Sequence, residues 1–350
     1  MRRANRNMPR CGSVGASAGF SLVELMIALA LGLLVVAAAT GIFVANRQTY
    51  TVTESLGRVQ ENVRFAFELM ARDIREAGGN PCGRHVPVVN VVTGSDANWW
   101  TNINSTQDPA TGELISPWSN SLRAFGADEA IDGLAFGNGA GQRLDGTEAV
   151  QLVSAGGEVS SVELHEPGAR TLTLAAGDHE FSGGNILVVC DARQASVFQA
   201  SAVGGDTVQH STGGMANNCT ENLGLPPTCA GATEYTYQPN AMLARLEGSR
   251  WYVGSNGRGG TSLYHASTNA SGAMGAAQEI VEGVSALQFE FLIDGAYQAT
   301  SAVAGPADWS RATAVRVTMD LMSEPNAGTT DRQPLRRTLS HVVTLRGRNP

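Results

Sequence analysis

From residue 25 to residue 45 the chain carries no charge and is almost entirely apolar. About 20 such residues suffice to cross a hydrocarbon layer as a helix, so this run predicts one membrane span. Arg2, Arg3, Arg6 and Arg10 precede it with no acid among them. Arginines on that side stay cytoplasmic and place the remainder across the membrane. A secretory signal also pairs a basic start with an apolar core, but here the small residues Ala16-Ser17-Ala18-Gly19 come before the apolar run and one acid, Glu24, stands at its beginning. A plain anchor leaves that acid unexplained. A carboxylate costs roughly 2.5–3.5 kcal/mol at the centre of a membrane helix on insertion scales, less near an end, and such groups usually have a partner.

Beyond Arg47 the chain turns polar and remains periodic. Val52, Leu56, Val59, Val63, Phe67, Met70 and Ile74 recur at three- and four-residue steps, the spacing of one apolar helix face. Glu54/Arg58, Arg64/Glu68, Glu68/Arg72 and Arg72/Glu76 are i,i+4 opposite-charge pairs on the remaining surface. Gly78-Gly79 followed by Pro81 is a strong stop. One long helix is predicted over 20–78, with its membrane part at about 22–46 and its later part packed on a folded domain.

That domain, 79–350, reads as strands. Apolar or alternating stretches occur at 86–92, 149–153, 161–165, 171–175, 185–190, 195–202, 241–246, 251–254, 286–293, 314–321 and 339–346, separated by glycine, proline, asparagine and aspartate. Strands after one long helix, without regular helix alternation, give an α+β class with antiparallel sheets. Residues 93–126 and 204–233 read as long loops.

Five cysteines are present, and Cys11 lies in the basic stretch. Removing that stretch leaves Cys82, Cys190, Cys219 and Cys229, an even number that suits an oxidising compartment. Cys219 and Cys229 would close a small loop around Pro226-Pro227, leaving Cys82 for Cys190, although four cysteines permit three connectivities. No C-x-x-C spacing occurs, which argues against zinc or a redox pair.

The composition excludes several chemistries. The net charge is −8, and losing the basic stretch would leave a more acidic body, a poor match for nucleic acid apart from a local patch near Arg332, Arg336 and Arg337. There is no lysine, a pattern that GC-rich coding produces, so neither a Walker phosphate loop nor a Schiff-base enzyme is available. Gly137-Asn138-Gly139-Ala140-Gly141 lacks a following helix pattern and reads as a turn, and Asp178-His179-Glu180 as a solvated turn. The six histidines are scattered. Asp145 and Glu148 are loop acids without EF-hand spacing. Trp99-Trp100 reads as partly buried beneath the first long loop.

Gly19-Phe20-Ser21-Leu22-Val23-Glu24-Leu25-Met26-Ile27-Ala28 resembles the class III leader junction of type IV pilins and type II secretion pseudopilins. The resemblance implies a leader over 1–19, long for this family unless Met8 is the start. It also implies a membrane aspartyl peptidase that cuts after Gly19 and N-methylates Phe20. Glycine allows close backbone approach at the cut. The cut would leave an amine on Phe20 one helical turn from Glu24, and the family pattern pairs that acid with the amine of a neighbouring subunit. Three further segments resemble the minor pilin family PilW: residues 72–79 with Cys82, the pair 185–191 and 195–199, and the closing segment 314–346.

As a PilW-type protein the chain would be a structural subunit with no cofactor and no metal. Its partners would be prepilin peptidase, other minor pilins and the major pilin, the inner-membrane assembly machinery and a tip adhesin. It would wait as a single-pass inner-membrane protein with a periplasmic domain, then join the fibre. A type II secretion minor pseudopilin shares the leader and is the nearest alternative. A membrane-anchored binding module or enzyme using the long loops is a third.

Overall fold

A computed structural model describes residues 19–83, 86–93, 106–107, 114–115, 118, 121–175, 179–226, 228–269, 272–303, 305–322 and 336–348. By internal contacts the chain divides into two units, Met1–Glu54 and Ser55–Pro350. Helix α1 (Leu22–Glu76) contributes to both.

In the first unit α1 is opened by Ser21, whose carbonyl accepts from Leu25 N at 3.1 Å. None of its side chains is buried over Leu22–Glu54, a stretch long and apolar enough to cross a membrane. The one hydroxyl in the uncharged run, Thr40 Oγ1, donates back to Val36 O at 2.7 Å, so the run carries its polar group already satisfied, as hydrocarbon requires.

In the second unit α1 buries Val63, Ala66, Phe67, Met70, Ala71 and Ile74, the predicted stripe with alanines filling the closest approaches. The side chains of Leu56 and Val59 lie outside the described residues. Arg64–Glu68 at 3.3 Å and Arg72–Glu76 at 3.4 Å line the exposed side. The helix ends where Gly78 turns left-handed at φ +76°, and a Cβ there would sit 2.7 Å from Ser121 Oγ. The freed backbone is taken up by a strand: Gly78 N donates to Val153 O and Ala155 N donates to Gly79 O, each at 2.8 Å.

The strands in chain order are β1 (Val88–Asn90), β2 (Thr106–Gln107), β3 (Leu114–Ile115), β4 (Leu122–Phe125), β5 (Ala149–Glu166), β6 (Thr171–Leu174), β7 (Ile186–Cys190), β8 (Ala195–Gln199) and β9 (Ala202–Gly204). There follow β10 (Thr207–Gln209), β11 (Ala241–Ser255), β12 (Thr261–Ser267), β13 (Gln278–Glu282), β14 (Val284–Ile293), β15 (Ala296–Ala299), the short helix α2 (Pro306–Arg311), β16 (Ala314–Met322) and β17 (Arg336–Thr344). The class is α+β, as the pattern predicts.

The paired strands β5 and β11 form the spine of a sheet that branches along their length. Near 149–152 and 249–255 the spine is flanked by β4, β12 and β13. Near 162–166 and 241–245 it is flanked by β6, β10 and β9 on one side and β7, β8 and β1 on the other. A second sheet, ordered β15-β14-β16-β17, lies against the first branch. Its Leu287, Phe289, Phe291, Val315 and Val317 share a core with α1, Trp251, Val253 and Leu263.

Four sequence readings need correction. Residues 149–153 and 161–165 are one strand, β5. Its register with β11 jumps between Ala155 and Val159, so Gly156-Gly157-Glu158 bulge opposite Arg245, and a glycine-rich bulge imitates a strand break. Residues 241–246 and 251–254 are likewise one strand, β11, because Glu247, Gly248 and Ser249 keep their ladder partners on β5. β1 pairs with β8 in parallel, unlike the other strand pairs described. The two predicted loops also carry structure, since β4 lies in 93–126 and β10 in 204–233.

Candidate assembly segment and its support

Gly19 and Phe20 precede α1 and are exposed, and Glu24 sits in its first turn, also exposed. Ser21 and Glu24 have the Ser-x-x-Glu spacing of a capping box, a local helix-starting signal within the segment read for processing. Among the described residues the Glu24 carboxylate has no hydrogen-bond or ion-pair partner. A helix N-terminus favours an anion at low cost, so the acid is tolerable where it stands and open to a positive group from outside the chain. The leader residues before Gly19 lie outside the described residues, as do Trp99-Trp100 and Arg332.

Several polar contacts, none foreseen from the sequence, fix the later part of α1 and the segments beside it. Asp73 Oδ2 accepts from Trp251 Nε1 at 2.8 Å and lies 3.2 Å from His265 Nε2. Arg346 N donates to Arg75 O at 3.0 Å, which satisfies one of the carbonyls that a helix C-terminus leaves free. Arg348 is buried; its guanidinium donates to the carbonyls of Trp309 and Trp118 and to Ser121 Oγ. These contacts span up to 230 positions of sequence, and no local pattern announces them.

Both cysteine pairs are bonded. Cys82 joins Cys190 with Cα atoms 5.9 Å apart, and Cys219 joins Cys229 at 5.5 Å. The first bridge ties the turn after α1 to β7.

Of the two loop acids, Glu148 serves structure. Glu148 Oε2 accepts from Phe289 N at 2.7 Å and Thr300 Oγ1 at 2.9 Å, and burial raises its pKa. The glycine turn at 137–141 packs on β11, with Gly141 N donating to Ser255 O at 2.9 Å. His179 Nε2 meets Gly205 O at 3.0 Å. Among the described residues no three His, Cys, Asp or Glu side chains gather as a metal site.

Two of the scattered histidines meet inside the second unit. Tyr237 N donates to His165 Nδ1 at 3.0 Å, the two Nε2 atoms of His165 and His210 lie 3.1 Å apart, and His210 Nδ1 meets Glu221 O at 3.1 Å. One proton arrangement satisfies this chain: both rings neutral, His165 donating from Nε2 and His210 donating from Nδ1. Burial, with the facing His210 adding to it, lowers His165 to about 4. Burial likewise lowers His210 to about 4, against the opposing pull of Glu221. Arg170 and Glu221 form an ion pair beside them.

The folded pKa values lie below the unfolded value of 6.5. The stabilisation is therefore complete above about pH 6.5 and is lost as pH falls through 4, worth roughly 3 kcal/mol for the first proton. The urea midpoint of the solubilised protein should fall between pH 7 and pH 4.5. His210→Gln, which removes one titrating ring, should flatten that slope; an unchanged slope would contradict the proton arrangement.

Two family models match the sequence. The prokaryotic N-terminal methylation motif covers residues 15–40, and Type IV Pilus-assembly protein W covers residues 250–346. No curated protein and no solved structure matches the chain. The first match contains Gly19, Phe20 and Glu24. The second begins at the end of β11 that holds Asp73 and runs through both edges of the four-stranded sheet to Arg346, so it takes in much of the core shared with α1, while β4 and β5 of that core lie outside it. Of the three body segments that resemble PilW, it includes 314–346 and leaves 72–82 and 185–199 outside. A methylation motif opening an apolar helix of membrane-spanning length and a PilW segment packed on that helix's later turns together support a PilW-like minor pilin of the type IV pilus with a class III prepilin leader.

Proposed function

We propose that this minor pilin primes assembly of a type IV pilus and is incorporated at its tip. Prepilin peptidase cuts it after Gly19 and methylates Phe20. Before assembly the Ser55–Pro350 unit lies on the periplasmic side of the inner membrane. The subunit then joins other minor pilins and the major pilin through the assembly machinery, beneath a tip adhesin. The observation that carries the reading is Glu24: an acid at the mouth of an apolar helix, without a partner among the described residues. The amine that cleavage exposes on a neighbouring subunit supplies the missing charge, and pairing the two sets the axial register of one chain against the next. The PilW match favours a pilus over a secretion pseudopilus.

The test is Glu24→Ala in the native cell. Cleavage and methylation should proceed as before, while surface pili fall about tenfold or more, the loss expected when a desolvated charge is left unpaired. Normal pilus number would remove the role of Glu24. Gold-labelled antibody against the second unit should decorate pilus ends; labelling along the shaft would remove the tip placement.

A further inference from the structure

The strand β17 ends the second sheet, and among the described residues nothing pairs with its outer side. The other described sheet margins are short: β1 and β9 have three residues each, β4 and β15 four, and β13 five. β17 has nine, of which seven are exposed. Long free edges recruit other strands, and folded proteins normally shorten, bend, cover or charge them. β17 has no proline, and its pairing with β16 runs from Ala314↔Thr344 to Met322↔Arg336 without a register shift.

Among the described residues charge is the one device present, and it has a single sign. Arg336 and Arg337 open the strand, and β17 contains no acid. Beyond its other end are Arg346 and Arg75, exposed and joined through their backbones. None of these four guanidinium groups has an ion-pair partner among the described residues. The acids of the adjoining strands already have partners: Asp320 accepts from Thr338 Oγ1 of β17 at 2.5 Å, and Glu290 pairs with Arg316 at 2.8 Å. In a chain of net charge −8 this is a basic frame around an open backbone ladder.

We propose that β17 is a docking edge for an extended segment of another polypeptide, about nine residues long and carrying acids near both ends. The segment adds a fifth strand to the sheet. Its main chain supplies most of the affinity, as in other strand additions, and its acids meet Arg336–Arg337 at one end and Arg75–Arg346 at the other. This edge is separate from the Glu24 chemistry, so its failure leaves the pilin assignment standing.

The probe is a synthetic peptide alternating valine and threonine with a glutamate pair at each end, beside a version with lysine pairs. Each is added to the detergent-solubilised full chain, and hydrogen exchange is followed at 336–344. The glutamate peptide should slow exchange there, the lysine peptide should not, and salt should weaken the effect. Arg336→Glu with Arg337→Glu, two exposed changes, should cut affinity for the glutamate peptide about tenfold, the scale of several exposed charge pairs together. The proposal is overturned by no slowing, by equal slowing with both peptides, or by full protection before any peptide is added. Protection that rises with protein concentration alone would mean that a second copy fills the edge, and would also overturn it.

Discussion

Gly19→Val should abolish maturation, leaving the protein in the membrane at its uncut size with no methylated amino terminus. The peptidase must bring its catalytic carboxylates against the backbone following residue 19, and a β-branched side chain both blocks that approach and narrows the backbone conformations the site can accept. The structure separates this effect from misfolding. A Cβ built at Gly19 meets nothing within 4 Å, and the residue lies outside every helix and strand. The fold therefore has no use for a glycine there, and a processing defect in the variant belongs to the encounter with the peptidase. A gel of membrane-extracted protein together with N-terminal sequencing checks the result. A mature-sized band starting with methylated phenylalanine would overturn the assignment of the cut.

The contrast between this segment and the body shows what a single sequence exposes. The membrane run, the stripe through Val63, Phe67, Met70 and Ile74, and the stop at Gly78 are legible because each rests on neighbours within one or two helical turns. The proposed processing site is local for the same reason: a peptidase reads neighbouring residues, so Gly19 and Phe20 adjoin and Glu24 follows one helical turn on. Strands are half legible. Their apolar centres show, but β5 and β11 look broken where a glycine bulge and a polar stretch interrupt the alternation, although the ladder continues between them.

What holds the helix to the body cannot be read locally at all. Asp73, Trp251 and His265 are three ordinary residues until β11 and β12 pair and bring the latter two beneath the helix. The histidine chain is of the same kind. His165 and His210 are 45 positions apart, and only the pairing of β6 with both β5 and β10 brings their flanking residues together.

Replacing Cys82 and Cys190 together by alanine should be strongly destabilising, more so than the same change at Cys219 and Cys229. The bridge closes 108 residues and the Cys219–Cys229 bridge only 10. Chain-entropy scaling assigns about 5 kcal/mol to the longer loop and about 3 kcal/mol to the shorter one. For a unit of this size the longer loop corresponds to a melting temperature lower by roughly 10 °C. Position compounds the effect. The turn after α1 is held on one side by Gly78 N to Val153 O and Ala155 N to Gly79 O, and on the other by the Cys82 link to β7. Without the link, the described residues of 80–92 are tied through β1, three residues paired in parallel with β8, a weaker geometry than the antiparallel pairs around it, and through Val91 O and the Val92 bridge to residues 218–219. Thermal unfolding of the solubilised double variants should rank the Cys82/Cys190 pair below the Cys219/Cys229 pair, and the reverse order would contradict the loop-length account. Hydrogen exchange supplies a second, local check: the amides of Gly78 and Ala155 should lose protection in the Cys82/Cys190 variant before those of Trp251 and Val253, whose core does not depend on the bridge.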